Sequence, residues 1–178
     1  MVIDPGDEGA RILRRANDLA LDITCIVLTH GHHDHTGALR ELKEATGANI
    51  AIHAADVDML RDNALAAMLG LRVSYSLPPD RLLEGGQTVT INGVEFSVLH
   101  TLGHSRGSIC LLGEGVVFTG DTLFQAGIGR TDLPGGNYME LIRNIETKLL
   151  SLPDDTRVYP GHGPSTTIGD EKRFNPFL

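Results

Sequence analysis

No apolar run in the sequence approaches the length of a membrane span, and no signal-peptide pattern opens it, since Asp4-Pro5-Gly6-Asp7 interrupts the apolar start almost at once. The expected location is the cytoplasm. Cysteine is scarce: Cys25 and Cys110 are far apart, and each sits inside an apolar, strand-like run. Both are expected to be buried thiols, with no sign of a disulfide framework or a thiolate metal site. Basic charge is in deficit, 15 Lys and Arg against 23 Asp and Glu, for a formal net charge of −8. That balance argues against a broad nucleic-acid-binding face and leaves room for a local basic pocket. Otherwise the composition is that of a soluble globular chain, and 178 residues suffice for one domain with a substantial core.

What the sequence does have is histidine in one place. His30-Gly31-His32-His33-Asp34-His35 follows directly on the apolar run Ile23-Thr24-Cys25-Ile26-Val27-Leu28-Thr29. In extended chain, alternation points His30, His32 and Asp34 to one side, with His35 pointing elsewhere. Two adjacent metal ions suit that arrangement better than one, and imidazole with carboxylate favours zinc, iron or manganese. The plainer reading of the hexapeptide is a histidine-rich surface turn. Against it stand three further motifs: Thr101-Leu102-Gly103-His104-Ser105, Phe118-Thr119-Gly120-Asp121-Thr122 and Tyr159-Pro160-Gly161-His162-Gly163. Each follows a strand-like run and has glycine beside its candidate ligand, where backbone must approach closely.

The rest of the pattern is α/β. Helices are expected over Glu8 to Leu21, with an apolar stripe of Ile12, Leu13, Ala16, Leu19 and Ala20, and over Thr36 to Ala45, stopped by Gly47. Further helical patterns cover Ala54 to Leu69, Tyr138 to Leu150 and Thr166 to Phe174. Residues 23–29 and 49–53 read as buried strands, and Gly70 to Arg81 as a loop reaching over the site. Asn92-Gly93 is a two-residue hairpin signal between Thr88–Ile91 and Val94–Leu99. A second hairpin joins Ser108–Leu112 to Val116–Thr119 through Gly113-Glu114-Gly115, and Arg157-Val158-Tyr159 is the last strand. His53 reads as a packed or hydrogen-bonded histidine rather than a ligand, and Asp4 as a turn residue.

These motifs, in this order, resemble the metallo-β-lactamase superfamily, and within it the short bacterial members of the glyoxalase II-like (hydroxyacylglutathione hydrolase-like) branch. The resemblance covers essentially the whole chain and implies a four-layered αββα sandwich forming one domain over residues 1–178. The family has further strands before its Asp-Pro-Gly turn, here Asp4-Pro5-Gly6, so the sheet is expected to lack its first N-terminal strands. The C-terminal helical domain that supplies glutathione contacts in longer members is likewise expected to be absent, the sequence running to Leu178.

Carried over position by position, the resemblance implies that His30, His32 and His104 bind one divalent ion, and Asp34, His35 and His162 a second, with Asp121 bridging both. Asp4 and His100 would support ligands from behind, and His33 is read as a wall or surface residue. The implied reaction is hydrolysis of a thioester such as S-lactoylglutathione, by attack of a metal-bridging hydroxide on the acyl carbon, with Asp34 orienting the nucleophile. Zinc is the first expectation, iron or manganese the next. Arg130, in Gly127-Ile128-Gly129-Arg130-Thr131-Asp132, stands where glutathione-specific members carry a basic residue; it suits an anionic, glutathione-like substrate or bridges loops structurally. Asp132 and Pro164 replace aromatic residues that typical glutathione-binding members place near there.

Rival readings share the fold. A persulfide dioxygenase would use one non-haem iron held by two histidines and an aspartate, and retains the Gly129-Arg130-Thr131-Asp132 segment. A true β-lactamase is disfavoured by the absence of a cysteine ligand. The remaining alternative is a scaffold that holds metal without turning substrate over. The native metal, the acyl group and thiol, and the oligomeric state are not encoded in any motif.

Overall fold

The computed structural model describes residues 1–60 and 77–178. The chain divides into two compact units, Met1–Leu83 and Glu84–Leu178.

The first unit is built on a parallel sheet of four strands, ordered β1 (Val2–Ile3), β2 (Cys25–Val27), β3 (Asn49–His53) and β4 (Arg81–Leu83). Parallel strands need helical crossovers, and the sequence supplies them. Helix α1 (Gly9–Asp18) joins β1 to β2, while α2 (His33–Thr36) and α3 (Leu39–Thr46) join β2 to β3. Ile26, Leu28, Leu42, Ile50 and Ile52 are fully buried, and Ile12, Leu13 and Ala16 of α1 pack against them. The expected stripe of α1 is cut short. Ala20 turns left-handed at φ 52°, the helix ends at Asp18, and Leu19 is left 49% exposed. After β3 the chain makes a 3₁₀ helix over Ala54–Leu60; the rest of the helix expected to Leu69, and the loop expected from Gly70, lie at residues 61–76, outside the described residues, up to Leu77. Arg81–Leu83 pairs as a strand where a loop end was expected.

The second unit has a six-stranded sheet, in the order β12 (Thr166–Thr167), β11 (Arg157–Pro160), β8 (Val116–Gly120), β7 (Ile109–Gly113), β6 (Val94–His100) and β5 (Thr88–Ile91). Asn92 and Gly93 both take positive φ, 50° and 83°, the turn that matches strand twist in a two-residue hairpin. Neighbours are antiparallel except β8 and β11. It follows that β6, β8 and β11 run the same way, so His104, Asp121 and His162, which follow them, leave from the same end of the sheet. A small hairpin, β9 (Leu123–Phe124) with β10 (Gly127–Ile128), comes between Asp121 and Arg130.

Helix α4 (Tyr138–Asn144) runs on as a π-helical turn over Ile145–Leu149, so the expected helix is present with one register change. Leu141, Ile145 and Leu149 are fully buried, packed with Val117, Leu123 and Val158. Helix α5 (Ile168–Phe174) is capped by Thr167, whose hydroxyl accepts the Asp170 N–H. Both cysteines are free and buried, and burial pushes the Cys110 thiol up to about 11. No helix among the described residues is long and apolar enough to cross a membrane.

Gly103 shows how α4 fixes the His104 loop. Its carbonyl accepts the Asn137 N–H at 2.7 Å, its φ is 140°, and a Cβ there would lie 2.4 Å from Leu141 N. Gly103→Ala is expected to destabilise the protein by on the order of 2 kcal/mol through strain and overpacking. Gly47→Ala, with φ 69° and nothing within 4 Å of the added carbon, should cost no more than about 1 kcal/mol. Urea denaturation of the two variants checks the contrast.

Candidate metal centre

In the first unit the ligand loop is set by an aspartate from the neighbouring strand. Asp4 follows β1, takes φ 48° and donates its N–H to Val27 O, so its carboxylate reaches beyond the end of β2. Asp4 Oδ1 accepts the Thr29 N–H at 2.7 Å, and Oδ2 accepts the Thr29 hydroxyl at 2.5 Å. The same Oδ2 lies 2.9 Å from His35 Nδ1. An ionised carboxylate only accepts, so His35 Nδ1 carries the hydrogen.

Thr29 Oγ1 also lies 3.0 Å from His30 Nδ1. Its one hydrogen is already given to Asp4, so toward His30 it accepts, and His30 Nδ1 is the donor. Both neutral imidazoles then present an Nε2 lone pair, the form a metal requires. The rings lie together: His30 is 4.8 Å from His32 and 4.1 Å from His35 between centroids.

The second half of the loop departs from the extended form expected of it. His32 is extended, at φ −67° and ψ 149°, but α2 starts at His33, so strand alternation does not govern Asp34 and His35. The helical turn instead leaves Asp34 exposed, buries His35, and puts Asp34 Oδ2 3.9 Å from His35 Nε2. Gly31 rests on the 3₁₀ helix: its N–H meets Asp56 Oδ2 at 3.2 Å, and a Cβ would lie 2.6 Å from Met59 Cβ. Asp56, fully buried, and Thr29 were not singled out in the sequence; neither carries a signal beyond its type.

In the second unit a backbone carbonyl does the corresponding work. His104 Nδ1 lies 2.8 Å from Arg130 O, which can only accept, so His104 also presents Nε2 as a lone pair. One oxygen of Asp121, Oδ2, lies 3.7 Å from His104 Nε2 and 3.5 Å from His162 Nε2. These spacings are too long for hydrogen bonds. They suit donors that share ions, because two ligands about 2.0–2.1 Å from one tetrahedral ion lie roughly 3.4 Å apart. The parallel pairing of β11 with β8 produces this, since Gly161 N bonds Gly120 O at 2.8 Å and sets His162 beside Asp121.

The supporting residues are placed as follows. His100 Nε2 donates to Arg106 O at 2.9 Å and so ties together the two ends of the loop that carries His104. His53 Nδ1 accepts the Ala55 N–H at 3.2 Å, a local turn contact. Arg130 makes a two-pronged pair with Asp132, both contacts at 2.7 Å, and this guanidinium holds the Asp132 carboxyl down to about 2. The donor set is thus imidazole and carboxylate, suited to zinc, iron or manganese, with neutral nitrogens already oriented for a cation.

Comparison with known proteins gives a consistent family. A model of the metallo-β-lactamase superfamily matches residues 1–162. Hydroxyacylglutathione hydrolase GloC of Haemophilus influenzae is 44% identical over 183 residues, covering 99% of this chain and 86% of that protein. Among solved structures, BLEG-1, a B3 metallo-β-lactamase, is 39% identical with a TM-score of 0.94, over 99% of this chain and 87% of its own. TTHA1623, solved in a di-iron-bound form, is 41% identical with a TM-score of 0.91, over 99% and 88% of the two chains. ETHE1 from Myxococcus xanthus is 34% identical with a TM-score of 0.80, over 98% and 71%. The chain belongs to the metallo-β-lactamase superfamily and has its fold.

Proposed function

We propose that residues 1–178 work as one catalytic domain, a dinuclear metallohydrolase of thioesters such as S-lactoylglutathione. The proposed ligands are His30, His32, Asp34, His35, His104, Asp121 and His162, for two divalent ions, zinc first and iron or manganese next. The observation that carries this reading is the position of Asp121 Oδ2, 3.7 Å from His104 Nε2 and 3.5 Å from His162 Nε2, where one carboxylate serves both histidines. The 44% identity to hydroxyacylglutathione hydrolase GloC supports the thioester class.

Bound divalent ions would supply a water acidic enough to be nucleophilic near neutral pH and a Lewis acid for the acyl carbonyl. The chain's own residues do the rest. Asp4 and Thr29 keep His30 and His35 in the ligating tautomer, and Arg130 O does so for His104. Asp34, the exposed carboxylate of the loop, takes the proton-handling and orienting role at the nucleophile. The Arg130 guanidinium is exposed and already held by Asp132, so an anionic thiol portion of the substrate binds it by sharing or displacing that partner.

The second reading is a mononuclear-iron persulfide dioxygenase, favoured by the likeness to ETHE1. Oxygen uptake with glutathione persulfide distinguishes it from the hydrolase. The likeness to BLEG-1 makes a β-lactam a necessary third substrate in the same assay.

Two outcomes are expected. In metal-loaded protein, S-lactoylglutathione is hydrolysed, and Asp34→Ala lowers kcat on the order of 100-fold or more; unchanged turnover in this variant would remove the enzymatic assignment from the site. Asp4→Asn places an amide where His35 Nδ1–H and the Thr29 hydroxyl need an acceptor, and should weaken metal binding about 10–100-fold in chelator competition. Wild-type affinity in that variant would show that the tautomers are set by something else.

A further inference from the structure

Helix α5 carries two buried polar side chains that the metal ligands do not account for, Glu171 at 2% exposure and Asn175, just past its end, at 6%. Buried polar groups are tolerated where their bonds are made, and these are made to a distant segment. Glu171 Oε2 accepts the Ala126 N–H at 2.9 Å and the Asn175 amide at 2.8 Å, while Oε1 accepts the Thr166 hydroxyl at 2.7 Å. Asn175 Nδ2 also donates to Gly127 O at 3.0 Å. The two side chains therefore grip the turn of the β9–β10 hairpin by one N–H and one carbonyl.

Leu123 anchors the base of that hairpin in the core, but the hairpin's ladder toward the turn is short. Its ladder consists of Phe124 opposite Gly127 and Leu123 opposite Ile128, and Ala126 in the turn takes φ 52°, which costs a residue with a side chain. Yet it meets all three candidate ligands of the second unit. The Phe124 ring stands edge-on to His162, with centroids 6.2 Å apart. Gly129, directly after β10, passes so close to Asp121 that an added Cβ would lie 1.8 Å from its carbonyl oxygen. The next residue gives the carbonyl that takes the His104 Nδ1–H.

We propose that Glu171 and Asn175 are positioning residues for His104, Asp121 and His162, acting as a latch on the β9–β10 hairpin. The proposal rests on reading those three residues as metal ligands. Loss of the latch lets the hairpin shift, the Arg130 carbonyl withdraws from His104, and the imidazole loses its fixed tautomer. Glu171→Gln preserves the latch, because its amide oxygen still accepts from Ala126 and Asn175 while the Thr166 hydroxyl turns to accept from the new NH₂.

The test compares Glu171→Ala, Asn175→Ala and Glu171→Gln with Ile168→Val, which trims a core side chain of the same helix and leaves every hydrogen bond of the latch in place. Nitrogen-15 NMR of the histidine rings in metal-free protein reports the His104 tautomer, and chelator competition with zinc reports affinity. Glu171→Ala and Asn175→Ala are expected to show mixed His104 tautomers and zinc binding weaker by about tenfold or more. Glu171→Gln and Ile168→Val should keep the wild-type tautomer and affinity, Ile168→Val despite lower stability. Folded Glu171→Ala or Asn175→Ala protein with wild-type tautomer and affinity overturns the latch, as does an Ile168→Val variant that shifts both readouts equally. Should the wild type bind none of zinc, iron and manganese, the metal reading fails, and the tautomer readout in metal-free protein still decides the latch.

Discussion

The Asp4 carboxylate is the constraint on which the histidine loop of the first unit depends. A histidine can ligate through Nε2 only if Nδ1 holds the hydrogen, and two neighbouring imidazoles left to themselves would exchange tautomers freely. Asp4 settles both at once, His35 by direct contact and His30 through the Thr29 hydroxyl. This works only because β1 lies beside β2 in parallel register, Ile3 opposite Val27, so that the residue after each strand emerges at the same end. The left-handed backbone of Asp4 is part of that arrangement: φ 48° turns the chain out of the strand while its N–H still bonds Val27 O. Such a conformation is costly for a residue with a side chain, and the three acceptor contacts of its carboxylate offset the cost.

The second unit solves the same problem with different material. The acceptor for His104 is a main-chain carbonyl, so no substitution at Arg130 removes it directly, and control passes to whatever fixes the backbone there. Arg130 thereby carries two separable features, a carbonyl aimed inward and a guanidinium engaged outside with Asp132. The parallel pairing of β8 with β11 places Asp121 and His162 side by side, as β1 with β2 places Asp4 beside Thr29. In these two places strand ends in parallel register bring together residues that are distant in the chain, while His104 follows β6, whose neighbours β5 and β7 both run antiparallel to it.

Much of this was legible in the sequence. Asn49–His53 is a strand with the expected limits, the Asn92-Gly93 turn has the positive φ values its residues demand, and the π-helical turn at Ile145 leaves the predicted helix in place. The histidine motif itself was plain, because four potential ligands within six residues have few structural uses. The extended reading of that motif failed at His33, where a short helix takes over from strand geometry. Thr29, Asp56, Glu171 and Asn175 went unread for a common physical reason. Each is an ordinary polar residue whose role lies in a bond to a partner distant in the chain, such as Glu171 to Ala126 across 45 positions. Periodicity and turn chemistry report on neighbours in sequence, so they are blind to such pairs. Likewise, nothing in Gly129-Arg130-Thr131-Asp132 announces that the guanidinium is taken by the residue two positions on.

Two divalent ions per chain are the central proposal, so the direct measurement is metal content per chain by mass spectrometry, on protein purified without chelator or added metal. Close to two ions per chain, zinc alone or with iron or manganese, is the predicted result. A single iron per chain in folded, fully metallated protein would contradict the dinuclear centre and transfer the assignment to the dioxygenase.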